Sequence, residues 1–270
     1  MYFISFLSQF NTKGILIMSK IVSIHSYRGG TGKSNLTANI ATAIACQGNR
    51  VGIVDTDIQS PGIHVLFGLD EKQIELTLNE FLWGNCAIAD AAYDVTYVLK
   101  NQTNPRSSIY LVPSSVKLND ISRILRERFD VELLLKGFKD LIENLKLDYL
   151  FIDTHPGLNQ ETLISLTTSD TVLLVLRPDQ QDFQGTAVTV DVASKLQVPE
   201  LLIMVNKALR DYDFQDLRKK VEQTYQIPVI GIIPESENLL RFASSGIFYL
   251  SYPNDPISLT LEVVATKIIS

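Results

Sequence analysis

Short, unbroken apolar runs alternate with longer helix-length segments along the whole chain. The runs are KIVSIHS (20–26), RVGIVD (50–55), IYLVP (109–113), DYLFID (148–153), TVLLVL (171–176), LLIMVN (201–206) and PVIGII (228–233). Continuous rather than alternating hydrophobicity predicts strands buried on both faces, as in a parallel sheet. Between them, 33–47, 130–146, 181–197 and 211–225 have the length and pattern of helices. The segment DVTYVLK (94–100) predicts a further strand, paired with 109–113 across the polar loop NQTNPRSS. Strand–helix alternation of this kind gives an α/β fold: a doubly wound, mostly parallel sheet of about seven to eight strands with helices on both faces. No repeat, low-complexity tract or linker interrupts residues 18–270, which read as a single domain.

Composition narrows the class. The chain has 270 residues, 46% of them hydrophobic, enough for a sizeable core. A net charge of −6 with 20% charged residues excludes a disordered chain and a globally basic nucleic-acid binder. Two cysteines, Cys46 and Cys86, lie far apart with no C-x-x-C, so neither a disulfide framework nor a cysteine-rich metal site is expected, and a reducing cytoplasm fits. The opening MYFISFLSQFNTKGILI is apolar but lacks a basic flank and breaks at Ser8-Gln9, so it does not read as a signal peptide. Met18 is followed directly by the first strand, and residues 1–17 are therefore expected to be a dispensable extension or an upstream start, the alternative being a weak membrane-seeking segment.

In open α/β sheets ligands gather at the carboxyl ends of the strands. The residues there are YRGGTGKS, DTDIQSPG, DTHPGLNQ, RPDQQD, NKALRD and PESEN. The first ends like a phosphate loop, G-x-x-x-x-G-K-[ST], yet Tyr27 stands where that pattern requires glycine. Gly29, Gly30 and Gly32 allow a nest of backbone N–H groups, with Thr31 within it and Asn35 in the first turn of the helix that follows. Lys33 can reach the β- and γ-phosphates of a bound nucleotide, and the Ser34 hydroxyl can ligate Mg²⁺. Asp55 and Asp57, at the end of the second strand, would point to opposite sides if the chain stayed extended. One would then face Ser34 and the metal, the other the γ-phosphate and its attacking water. Asp153 ends an apolar strand in the Walker-B manner and suits the magnesium side. His155, before Pro156-Gly157, reads as a structural loop histidine rather than a base.

Together these motifs resemble the ParA/MinD family of deviant-Walker P-loop ATPases. The family loop x-K-G-G-x-x-K-[ST] is matched by YRGGTGKS except at one residue; D-x-D near a glutamine is matched by DTDIQ, and D-x-x-P-G by DTHPG. The resemblance covers roughly 18–269. It implies Asn206, Pro234 and Glu235 as adenine contacts, and Asp55 and Asp153 as magnesium-side carboxylates acting through water. It implies that Asp57 positions or activates the lytic water and that Gln59 to Gly62 move with the γ-phosphate. The family's signature lysine, which crosses a dimer interface to the partner's nucleotide, is here Arg28. A guanidinium can hold phosphate oxygens bidentately, and a trans arginine accelerates phosphoryl transfer by about 10³–10⁵-fold in other NTPases. The competing reading is that Arg28 contacts its own subunit's acidic loop.

The resemblance further implies slow, Mg²⁺-dependent ATP hydrolysis by an ATP-bound homodimer. An activating adaptor protein would trigger it, and the switch would position a plasmid, chromosome, organelle or protein complex. Of the two surfaces such switches ride, a membrane is disfavoured because the last helix, DPISLTLEVVATKIIS, carries Lys267 as its single base. Non-specific DNA binding is favoured narrowly by Arg210, Arg218, Lys219 and Lys220 in one run and by Arg123, Arg126 and Arg128 in another, which makes the expected location cytoplasmic and nucleoid-associated. The alternatives are a regulator of a motility or transcription partner that shuttles on no surface, and a metabolic ATPase or ligase on the same fold.

Overall fold

The computed structural model describes residues 19–100, 104–127 and 130–270. The extension 1–17, Met18 and Arg128 lie outside the described residues. In chain order the elements are β1 (Lys20–His25), α1 (Lys33–Cys46), β2 (Arg50–Asp55), α2 (Ile63–Leu66), α3 (Leu78–Leu82), β3 (Tyr93–Asp94), β4 (Ser108–Val112), α4 (Leu118–Arg126) and α5 (Val131–Leu145). There follow β5 (Tyr149–Asp153), α6 (Gln160–Thr168), β6 (Thr171–Leu176), α7 (Gln180–Lys195), β7 (Glu200–Ala208), α8 (Phe214–Tyr225), β8 (Val229–Pro234), α9 (Glu237–Phe242), α10 (Phe248–Ser251) and α11 (Pro256–Ile269).

The strands form one 8-stranded sheet in the order β3-β4-β2-β5-β1-β6-β7-β8. Every pairing is parallel except β3 with β4. The apolar runs split by period two, as side chains on a strand must. Val22, Ile24, Val51, Ile53, Leu173, Val175, Leu202 and Met204 enter one layer with α1 and α11. Their neighbours enter the other: Val54 and Ile152 with α3 and α5, Val172, Leu174, Ile203 and Val205 with α8. The expected helices cover both faces.

The expected strand at 94–100 is a correction. Only Tyr93 and Asp94 pair with β4, and Thr96–Leu99 form a 3₁₀ turn. The Thr96 hydroxyl accepts the Ile109 N–H at 3.0 Å, so a side chain takes the partner that a longer strand would have supplied.

β1 sits near the middle of the sheet, flanked by β5 and β6. The sheet order reverses direction here, and the loop that leaves β1 therefore opens into the crevice between strand ends.

Candidate functional site

The second half of the loop is shaped by its own backbone. Gly30 and Gly32 take φ of 77° and 95°, a region that costs an L side chain roughly 1–2 kcal/mol. Gly32 caps α1 without a side-chain hydrogen bond, and the first turn holds no acidic residue. The N–H groups that open α1 are thus left for an anion, with the helix dipole behind them. Two side chains from the end of β7 brace the loop: Asn206 Nδ2 donates to the Thr31 carbonyl at 2.7 Å, and Lys207 Nζ to the Gly30 carbonyl at 2.8 Å. A Cβ at Gly32 would meet Asn206 Nδ2 at 2.6 Å. Beneath the loop lies His25, fully buried, its pKa driven down to about 3 by burial first and then by Lys33 and His155. The Thr154 hydroxyl gives its hydrogen to the Ile24 carbonyl, so His25 Nδ1 must donate to Thr154 and Nε2 is left a sealed, unpaired acceptor.

The carboxylates converge on Lys33. Lys33 as a whole is 6% exposed; burial lowers its pKa, against the opposing pull of Asp153 and Asp57. Asp153 Oδ1 accepts the Thr37 hydroxyl at 3.0 Å, and the nearby Ser34 hydroxyl favours its ionised form. Burial raises its pKa to about 6, and Oδ2 is sealed from solvent with no partner among the described residues. Asp55 is also pushed up, by burial and then by Asp153 and Asp57. It accepts the Asp57 N–H at 3.0 Å and the Gly62 N–H at 3.3 Å, while Ser114 Oγ holds its backbone carbonyl at 2.7 Å.

The alternation argument for Asp55 and Asp57 does not apply, because β2 ends at Asp55 and the chain turns through Asp57. Both carboxylates stay near Asp153, and Asp57 also lies near Lys33. Asp57 Oδ1 accepts from Ser60 N, Ser60 Oγ and His155 Nδ1 at 3.1, 3.0 and 2.7 Å. The loop 57–62 is thereby fastened to the two acids that flank the phosphate position.

These residues fit a magnesium nucleotide. Two carboxylates burdened by burial, one with an orphaned oxygen beside a serine hydroxyl, gain most from a hard divalent cation, which needs oxygen ligands and restores ionisation. Ser34 and Asp153 would hold it; Asp55, whose oxygens already accept backbone N–H groups, would act through water. The metal would neutralise charge on the phosphates, and Lys33 with the α1 N-terminus would orient them.

The first half of the loop is held by α7. The Tyr27 ring lies over Gly185, where a Cβ would sit 2.0 Å from the ring. Arg28 pairs in its own subunit with Asp179 at 3.4 Å and Asp182 at 3.2 Å, and Arg177 grips the same two acids. Arg28 and Asp179 are 36% and 43% exposed, so that contact is worth only about 0–1 kcal/mol; the shorter contact is to Asp182, which is 2% exposed and is also held by Arg177. Sequence reasoning placed RPDQQD at a strand end but gave Asp179 and Asp182 no role. Gly185 was missed too, although an isolated glycine inside a helical segment signals close packing.

The other residues expected at the nucleotide are engaged within the protein. Asn206 is brought to the loop, but its amide is spent on Thr31 and its Oδ1 accepts the Lys207 N–H. Pro234 pairs with Ala208 at the adjacent strand end, and the Glu235 N–H donates to the Ala208 carbonyl. Asn35 gives both its carbonyl and Oδ1 to Asn39 Nδ2.

The profile of a family described as AAA domain matches residues 19–210. An ATP-binding protein of Methanocaldococcus jannaschii is 28% identical over 94% of this chain and 89% of its own. The septum site-determining protein MinD of Bacillus subtilis is 24% identical, over 93% and 90%. Among solved structures, MinD of Pyrococcus horikoshii complexed with Mg-ADP superposes with a TM-score of 0.76 at 23% identity, covering 93% of this chain and 96% of that one.

Proposed function

The chain belongs to the ParA/MinD family of deviant Walker-A P-loop ATPases, and from that premise we propose that it is a slow, Mg²⁺-dependent ATP switch. It dimerises on ATP, positions or partitions an intracellular cargo, and is reset when an adaptor protein stimulates hydrolysis. The observation that carries this reading is the fastening of residues 57–62 to Asp55 and Asp57, beside Lys33 and the orphaned oxygen of Asp153. Asp55, Asp57 and Asp153 would exchange their present hydrogen bonds for a bound magnesium nucleotide, and the loop 57–62 that Asp55 and Asp57 hold would shift with them. Phosphoryl transfer to water then rests on positioning and charge neutralisation rather than covalent chemistry. In the dimer Arg28 leaves Asp179 and Asp182 for the partner's nucleotide.

Light scattering tests the switch: Asp57→Ala should be a dimer with Mg-ATP and a monomer with Mg-ADP. A monomer in both states would sink it.

DNA is the surface we propose. Lys219 and Lys220 are exposed on α8, close in sequence to Arg210 and Arg218. Their local partners are weak ones: Lys219 meets Asp216 at 3.7 Å and Lys220 lies over the Phe183 ring at 5.4 Å, so both can turn to phosphates. Replacing both by glutamate should release the ATP dimer from DNA while leaving nucleotide affinity intact. The metal-carrier chemistry of some relatives suits this chain poorly, since burial pushes the Cys46 thiol up to about 11 and the Cys86 thiol upward as well, away from the thiolate a cluster needs.

A further inference from the structure

His155 stands in DTHPG, where the sequence alone suggests only a turn. Its ring is tied to Asp57: Nδ1 lies 2.7 Å from Oδ1, with the two side chains 20% and 12% exposed. A carboxylate can only accept, so Nδ1 carries the hydrogen and donates it. The same oxygen accepts the Ser60 N–H and hydroxyl at 3.1 and 3.0 Å. All three bonds fall on Oδ1. No donor among the described residues reaches Oδ2, and unlike Asp153 Oδ2 it is not sealed from solvent. One oxygen is clamped and the other is free to accept.

The two sides of the clamp differ in kind. Ser60 belongs to the same loop as Asp57 and would travel with it. His155 sits on a separate support: its carbonyl accepts the Thr162 hydroxyl of α6 at 3.2 Å, Pro156 follows it, and the Gly157 N–H returns to the Ser26 carbonyl at 3.0 Å. The imidazole is therefore a fixed post against which the moving carboxylate registers.

We propose that His155 is a positioning residue for ATP hydrolysis, holding Asp57 Oδ1 so that Oδ2 meets the attacking water. This rests on the reading that Asp57 handles that water. The bond aligns the carboxylate plane without touching nucleotide. Its loss lowers the rate of the chemical step and leaves ATP binding alone.

Two measurements test it. In single-turnover hydrolysis, His155→Ala should slow the step about tenfold at unchanged ATP affinity. His155→Asn, whose Nδ2 falls near the position of Nδ1, should recover most of the loss. Independently of turnover, ¹⁵N spectra of the three histidines should show His155 protonated at Nδ1, a signature that Asp57→Ala removes. An alanine variant as fast as wild type, an asparagine variant no better than alanine, or a His155 signal indifferent to Asp57→Ala overturns the proposal while the ATPase reading stands. A wild-type protein that binds Mg-ATP and never hydrolyses it sinks that reading, and this inference with it.

Discussion

The two halves of the phosphate loop are built by different means. From Gly30 to Ser34 the backbone shape is set locally, by two glycines at positive φ and a helix start, and Asn206 and Lys207 of β7 only brace it from outside. Tyr27 and Arg28 take their positions from α7, far along the chain, through a ring seated on Gly185 and a guanidinium between two aspartates. The local half binds whatever fits a nest of N–H groups. The half held at a distance can be released without dismantling that nest, which suits a group whose proposed work is on another subunit.

The sharpest way to break the contrast is at the local half. Lys33→Ala should cost at least about a hundredfold in ATP affinity by titration calorimetry, since it removes the phosphate cation and leaves buried carboxylates without their counter-charge. Next comes Gly185→Ala. A methyl group overlapping the Tyr27 ring must push it off α7, which should lower stability by about 1–3 kcal/mol in urea. ADP affinity should barely change, and Tyr27→Ala should relieve the loss in the double variant. If Gly185→Ala instead abolished ADP binding, the halves would not be separable.

Smaller effects refine the picture. Arg28→Ala should weaken the ATP dimer in light scattering with little change in ATP affinity. Asp179→Asn keeps an acceptor at the start of α7 but removes a charge that detains Arg28, and should tighten the same dimer a few-fold. A dimer unaffected by either change would confine Arg28 to its own subunit.

A proton supplies a separate test. His25 is neutral when folded, with its pKa lowered to about 3, whereas the unfolded chain takes up a proton near 6.5. The unfolded state therefore binds more protons in that window, and stability should fall as pH drops from about 6.5 toward 3. His25→Gln should flatten this part of the profile of melting temperature against pH.

What the sequence disclosed follows the same division. The strands were legible because burial on both faces leaves an unmistakable apolar run; the two-residue β3 was overread because Thr96 ends the ladder with a side chain. Lys33, Ser34, Asp55 and Asp153 could be named because phosphate and metal chemistry clusters at strand ends by topology. Asn206 was expected as an adenine contact; in the structure its amide braces Thr31, a use no pattern of residue types announces. The partners of Arg28, and the grip of His155 on Asp57, depend on which loops meet in space, and spacing along the chain carries no trace of that.

The sheet order has a consequence for synthesis. β1 is made before the other strands, but among the described residues it pairs only with Tyr149–Asp153 and Thr171–Leu174, and the loop it carries is closed by Asn206. At roughly 5–20 residues per second, a ribosome takes on the order of 10–35 s to travel from Gly32 to Asn206. Throughout that interval the nascent chain displays a phosphate-loop sequence with no walls around it. Nucleotide capture must therefore come late in translation, and the apolar β1 must wait unpaired until then.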